Sequence, residues 1–221
     1  MSTNKKPNFT PALHFHWLTR WYDPLMRCLF PESAIRTALI SQAKLQAGQM
    51  VLDTGCGTGT LTLQIKQNHP DVVVCGVDID PQVLAIARTK AELTTETINW
   101  QLGSATRLPY ANDSFDHLFA SLLLHHLNQT EKMEMLQEAL RVLKPGGELH
   151  IADFGQPHDG WMWLISLFTR WFEEIYDHIL GRLPQHALAA GFCSVEVPSR
   201  HRTIMGTISL FCARKPSNQT D

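Results

Sequence analysis

Between residues 46 and 156, short continuous apolar runs alternate with longer stretches in which apolar positions recur every three or four residues. The run at 50–53 predicts a strand closed by glycines, and 61–68 predicts a helix. Residues 72–77 are β-branched and apolar almost throughout, as in a strand buried on both faces. A helix is expected at 81–93, with Asp80 as its N-cap and Pro81 at its first position. Strands are expected at 99–102 and at 115–120, the latter after the turn-rich Ala111-Asn112-Asp113-Ser114. A helix at 131–143 should stop at Lys144-Pro145-Gly146-Gly147, and 149–152 predicts a fifth strand. Strands alternating with helices of this length indicate an α/β fold: a doubly wound, mostly parallel sheet covered on both faces. After Asp153 the rhythm breaks. Residues 161–180 read as a long amphipathic helix or helix pair, and 194–197 and 207–213 as two more strands.

The chain has 221 residues, 44% hydrophobic and 18% charged, a globular composition that can bury a core without disulfides or metal. A single unit over 1–221 is expected. Within it, 9–45 would form an N-terminal helical cap, 46–156 the core, 157–185 a helical cap insertion and 186–215 the C-terminal strands. With 19 Lys+Arg against 21 Asp+Glu, the net charge is -2. No basic run is present, which argues against a nucleic-acid partner. Cys28, Cys56, Cys75, Cys193 and Cys212 are widely spaced and form no Cys-x-x-Cys pair, the pattern of thiols in a reducing cytosol. Residues 1–7 lack the apolar stretch of a secretory signal. The most apolar stretch, 161–165, is far below the ~18 residues of a transmembrane helix. A cytoplasmic location is expected.

Chemistry concentrates first in Asp53-Thr54-Gly55-Cys56-Gly57-Thr58-Gly59, which follows a strand and opens a helix. Closely spaced glycines there let backbone approach a nucleotide. No Lys-Ser or Lys-Thr follows, which excludes a phosphate-cradling P-loop. The acidic lead suits a cationic ligand better than a pyrophosphate. Asp78 ends the second strand, a little over 20 residues on, where a carboxylate can accept from both hydroxyls of a ribose.

Val51-Leu52-Asp53-Thr54-Gly55-Cys56-Gly57-Thr58-Gly59, followed by Gly76-Val77-Asp78-Ile79-Asp80, resembles the first two motifs of class I S-adenosylmethionine-dependent methyltransferases. Gly103-Ser104-Ala105-Thr106-Arg107-Leu108-Pro109-Tyr110, then Asp113-Ser114-Phe115-Asp116, is similar to the family's adenine-side motif. Arg141-Val142-Leu143-Lys144-Pro145-Gly146-Gly147 is similar to its turn before the fifth strand. The resemblance covers about 47–154. It is nearest to the small-molecule branch that holds the ubiquinone and menaquinone C-methyltransferases. Tyr22-Asp23 is similar to that branch's N-terminal helix, which closes over the cofactor.

The resemblance implies S-adenosyl-L-methionine as cofactor and a seven-stranded, Rossmann-like sheet with its last strand antiparallel. It implies cofactor contacts from Asp53, Gly55, Cys56, Gly57, Gly59, Asp78, Ile79, Ser104, Ala105, Ser121 and Tyr22. The adenine motif usually carries Asp where Ser104 stands, so the exocyclic amine would be held by the Ser104 hydroxyl or by the backbone of Ala105. The longer C-terminal signatures of the quinone enzymes are not present.

Ser121-Leu122-Leu123-Leu124-His125-His126-Leu127 follows the fourth strand, whose carboxyl end should face the ligand crevice. Adjacent histidines at a helix start diverge by roughly 100° and do not easily serve one metal. Leu122 and His125 stand where some quinone O-methyltransferases place metal-binding Glu, so no metal is carried over. His126 or His125 is a candidate general base, since imidazole titrates near neutral pH; packing against the sheet edge is the other reading. Asp153, at the end of the fifth strand, is either a substrate-side carboxylate or a helix cap. Trp17, Trp21, Trp161, Trp163, Phe168, Trp171 and Phe172 would roof an apolar pocket.

The function expected is in-line methyl transfer from S-adenosylmethionine to a small, apolar or aromatic acceptor, driven by alignment and desolvation. Three rivals stay open. A nicotinamide oxidoreductase would show Gly-x-Gly-x-x-Gly, and an aminopropyltransferase an acidic pair in place of Leu-Leu-Leu-His-His. A non-catalytic cofactor- or partner-binding protein would be distinguished by absence of turnover.

Overall fold

Strands that are apolar on both faces need helices on both, and the chain supplies them in two layers around one sheet. The computed structural model describes residues 32–94, 96–156, 181–203 and 206–217. Tyr22, the tryptophans at 17 and 21 and the aromatic run at 161–172 lie outside the described residues. The strands are β1 (Met50–Thr54), β2 (Val73–Asp78), β3 (Asn99–Leu102), β4 (Phe115–Ser121), β5 (Leu143–Phe154), β6 (Ser194–Thr203) and β7 (Gly206–Arg214). They form one seven-stranded sheet in the order β3-β2-β1-β4-β5-β7-β6. β1 to β5 are parallel, and β7 runs antiparallel between β5 and β6. This is the doubly wound, Rossmann-like sheet expected, with its last strand reversed.

The helices are α1 (Glu32–Ala43), α2 (Thr60–Asn68), α3 (Pro81–Thr94), α4 (Gln129–Val142) and α5 (Leu183–Ala190). On one face of the sheet, Ile35, Leu39 and Ile40 of α1 and Leu61 and Ile65 of α2 pack with Val51, Val74, Phe119 and Leu210. On the other, Met135, Leu136 and Ala139 of α4 and Leu183 and Ala187 of α5 pack with Leu52, Leu118, Leu149 and Phe211. α1 falls within the segment 9–45 and lies on the sheet through its buried face. No helix among the described residues is long and apolar enough to cross a membrane.

Local chemistry sets the element ends. The Asp80 carboxylate accepts Gln82 N–H at 2.8 Å, as an N-cap of α3 should. α4 starts earlier than its apolar period suggests, because Asn128 and Glu131 form a capping box. At its other end α4 stops at Val142, and β5 already begins at Leu143. Lys144-Pro145-Gly146-Gly147, expected as a turn before the strand, is instead an irregularity within it. The pairing of β4 with β5 jumps from Phe115–Leu143 to His117–Glu148, and Gly146 takes a left-handed φ of 78°. Lys144 Nζ donates to Asp116 Oδ2 at 2.7 Å, and Lys215 N–H to the Gly147 carbonyl at 2.9 Å, so the extra residues are anchored from both sides.

Candidate functional site

The strand order reverses between β1 and β4, and in open α/β sheets that reversal leaves a crevice at the carboxyl ends of the strands. The loop after β1 is built on three left-handed glycines, Gly55 (φ 65°), Gly57 (φ 53°) and Gly59 (φ 76°). Their surroundings differ. A Cβ on Gly55 would stand 2.7 Å from Leu123 Cδ1 in the tract after β4. One on Gly59 would stand 2.6 Å from the Trp100 ring and 2.9 Å from Ala87 Cβ. Among the described residues, one on Gly57 would meet nothing within 4 Å, so the loop presents bare backbone to them there. Gly59→Ala should therefore cost about 2–4 kcal/mol of stability, combining left-handed strain with overpacking. Gly57→Ala should cost only the strain, about 1–2 kcal/mol, yet weaken ligand binding. Denaturant unfolding alongside adenosylhomocysteine titration separates the two, and equal stability losses would refute this division of roles.

Two carboxylates flank the loop. Asp53 is buried and accepts Thr62 Oγ1–H at 2.5 Å. Burial pushes its pKa up to about 7, and the negative charge of Asp78 adds to that rise. Asp78 accepts Gly57 N–H at 2.8 Å on one oxygen and Asp80 N–H at 2.9 Å on the other. Burial raises its pKa as well. Each Asp78 oxygen has a second acceptor site beyond these bonds. Cys56 is buried, with its N–H bonded to the Val77 carbonyl at 3.0 Å; burial raises its thiol pKa, as in an unreactive structural thiol.

Two apolar side chains at the strand ends stay open to solvent, Ile79 at 44% and Leu102 at 51%. Ile79 was expected at the site. Leu102 was not, because an exposed leucine ending a short strand carries no signal until Asp78 is seen paired with it across β2 and β3. Beyond β3, the Ser104 hydroxyl is engaged with Thr106, through Oγ1 at 2.9 Å and N–H at 3.2 Å. Ser104 and Ala105 are both half-buried. The rest of this loop is tied down by an ion pair that sequence reading passed over. Glu138 accepts Leu108 N–H at 2.7 Å, and Arg141, paired with Glu138, donates to the carbonyls of Leu108 and Tyr110.

The tract after β4 opens with a strained residue. Leu122 has φ 52°, held by its N–H bond to the Ala152 carbonyl at 2.8 Å. A short 3₁₀ turn follows at Leu124–His126. There the two imidazoles do not diverge as on an α-helix; their ring centroids are 3.9 Å apart. Asp153 gathers this turn. Its fully buried carboxylate accepts Leu124 N–H (2.7 Å) and His125 N–H (3.3 Å) on Oδ2, and Phe154 N–H (2.7 Å) on Oδ1. His125 Nδ1–H donates to the same Oδ1 at 2.9 Å. Among the described residues, no carboxylate bonds to His126 in this way. Desolvation, and then the neighbouring His125, pull its pKa down to about 4, a shift that the exposure of His126 to solvent works against.

A sequence-family profile described as a methyltransferase domain matches residues 51–147. A demethylmenaquinone methyltransferase of Thermus thermophilus is 34% identical over 162 residues, which cover 72% of each chain. The corresponding protein of Deinococcus radiodurans is 34% identical over 164 residues, 73% of this chain. The match spans 65% of that protein, less than two thirds of its length. Among solved structures, Haemonchus contortus phosphoethanolamine N-methyltransferase 2 in complex with S-adenosyl-L-methionine superposes with a TM-score of 0.74 at 17% identity. That match covers 94% of this chain and 59% of the other, and at such identity it speaks for the fold.

Proposed function

The chain belongs to the class I S-adenosylmethionine-dependent methyltransferases, and from that premise we propose that it transfers a methyl group to a small, apolar or aromatic acceptor. The observation that carries this reading is the glycine loop held open by Asp78, with bare backbone at Gly57 between two carboxylates. Those residues fit the cofactor in kind. The second acceptor sites of Asp78 suit two ribose hydroxyls. Ile79 and Leu102 offer apolar surface to a purine, with Ser104 and Ala105 beside them. At the amino-acid end, half-buried Ser121 would offer its hydroxyl, and the buried Asp53 carboxylate would act as a negative charge beneath the loop. S-adenosylmethionine supplies an electrophilic methyl group when bound.

The acceptor's proton is the chain's own task, and His125 is the better base. Because a carboxylate only accepts, Asp153 fixes the proton on His125 Nδ1 and leaves Nε2 free to take one. His126, at a pKa of about 4, is too weak a base for a neutral acceptor at physiological pH. Leu122 and Leu123 precede this pair in the chain, and the Phe154 ring stands edge-on to His125 at 5.0 Å. An apolar acceptor suits such a lining.

The purified chain is expected to bind S-adenosylhomocysteine and S-adenosylmethionine and not NAD, and to transfer labelled methyl to a component of a metabolite extract. Affinity for the cationic cofactor should rise as pH is raised through about 7, because a nearby cation favours ionised Asp53, whose pKa burial has raised to about 7. Calorimetry at several pH values tests both points. Binding of NAD without adenosylhomocysteine would refute the function, and a flat pH profile would remove Asp53 from the cofactor's surroundings.

A further inference from the structure

Far from the crevice, near the amino end of β4, three ligand-type side chains meet between the sheet and α1. His117 of β4 pairs across the ladder with Glu148 of β5, and His150 follows two residues on, on the same face. Their nearest atoms form a small triangle: His117 Nδ1 to His150 Nε2 3.1 Å, His150 Nε2 to Glu148 Oε2 3.5 Å, and His117 Nδ1 to Glu148 Oε2 3.9 Å. His117 and His150 are buried, and Glu148 is largely so. The methyl-transfer chemistry uses none of the three.

A point equidistant from these three atoms lies about 2.0 Å from each, the length of a zinc bond to imidazole nitrogen or carboxylate oxygen. Two imidazoles and one carboxylate are also a borderline donor set suited to Zn²⁺ and poor for Mg²⁺ or Ca²⁺. Arg214 holds the other carboxylate oxygen, Oε1, at 2.5 Å and leaves Oε2 turned to the histidines.

Gln42 of α1 provides a second, independent observation. Its Nε2 lies 3.2 Å from His150 Nδ1 and 3.1 Å from the Phe211 carbonyl, while its Oε1 is buried without a hydrogen-bond partner among the described residues. In this arrangement His150 Nδ1 accepts, so the ring carries its proton on Nε2 and donates it toward His117. Coordination through Nε2 puts the ring proton on Nδ1, so the Gln42 amide turns over to accept it with Oε1 and gives up its bond to the Phe211 carbonyl. The Nε2 lone pair is left facing His117 Nδ1 and Glu148 Oε2. Three converging lone pairs repel one another unless a proton or a metal ion lies between them. The ring proton moves from Nε2 to Nδ1, so the imidazole stays neutral and the ion takes the place that proton held.

We propose that His117, Glu148 and His150 form a zinc site, with Gln42 as the partner that orients His150, and that the ion ties β4, β5 and α1 together at the end of the sheet opposite the cofactor. The test uses the full chain, stripped with a chelator and titrated with Zn²⁺ by calorimetry, and with Co²⁺ by visible absorption. One ion per chain is expected, with ligand-field bands for Co²⁺ and a higher unfolding temperature with zinc. His117→Asn and His150→Asn should each weaken binding by more than the about 10- to 100-fold that loss of an outer-shell partner costs. His125→Ala should bind zinc as the parent does, which excludes the crevice histidines. Far-UV circular dichroism and cooperative unfolding show that each variant is folded. Less than one ion per chain, or zinc binding unchanged in both asparagine variants, would overturn the site and leave His150 sharing only a proton with His117.

Discussion

Asp153→Asn is expected to lower methyl transfer by about 10²- to 10⁴-fold, the range for loss of a positioned base or its tautomer, with cofactor affinity nearly unchanged. The carboxylate serves two pairs of donors, Leu124 and His125 N–H on Oδ2, and Phe154 N–H with His125 Nδ1–H on Oδ1. An amide keeps one oxygen. If that oxygen retains the first pair, its NH₂ faces His125 Nδ1 and forces that nitrogen to accept, so the proton moves to Nε2 and the base is lost. The Phe154 N–H is also left unpaired, at about 1–3 kcal/mol. Asp153→Ala strands three amides and should cost about 3–5 kcal/mol of stability. Turnover with the acceptor found by the labelled-methyl screen measures the first effect. The ¹⁵N shifts of His125 read its tautomer without any acceptor. Full activity in a folded asparagine variant, or an unchanged tautomer, would remove His125 and Asp153 from the reaction.

For Asp78→Ala, affinity for S-adenosylhomocysteine should fall by about 1.5–3 kcal/mol or more, roughly 10- to 150-fold, because two ribose hydroxyls lose a charged acceptor. The structure adds a second reason, since Gly57 N–H and Asp80 N–H are held by the same carboxylate. Without it the glycine loop loses its tie to β2. Asp78→Asn should fall between the parent and the alanine variant, since one oxygen can hold only one of those separated amides. Calorimetry with adenosylhomocysteine ranks the three proteins. Equal affinities would mean that Asp78 only ends a strand.

Much of this molecule was legible along the chain because its signals are local. The continuous apolar run at 72–77 marks a strand buried on both faces, and glycines at 55, 57 and 59 mark a backbone that no other residue adopts at low cost. The motifs around these residues carried the fold and the family. Boundaries were less legible where neighbouring strands decide them. Lys144-Pro145-Gly146-Gly147 reads as a stop, yet becomes part of β5 because Asp116 and Lys215 hold it in the sheet. The histidines illustrate the division most clearly. Proximity in sequence drew attention to His125 and His126, but only the buried carboxylate of Asp153, 28 residues away from His125, distinguishes one from the other. His117 and His150 stand 33 residues apart and carry no pattern at all, since a histidine inside an apolar run reads as an isolated substitution. Periodicity and turn chemistry act over a few residues, and so the sequence alone determined the elements and the loop. Which polar groups share a buried space depends on strand order and register, and only the folded sheet decided that.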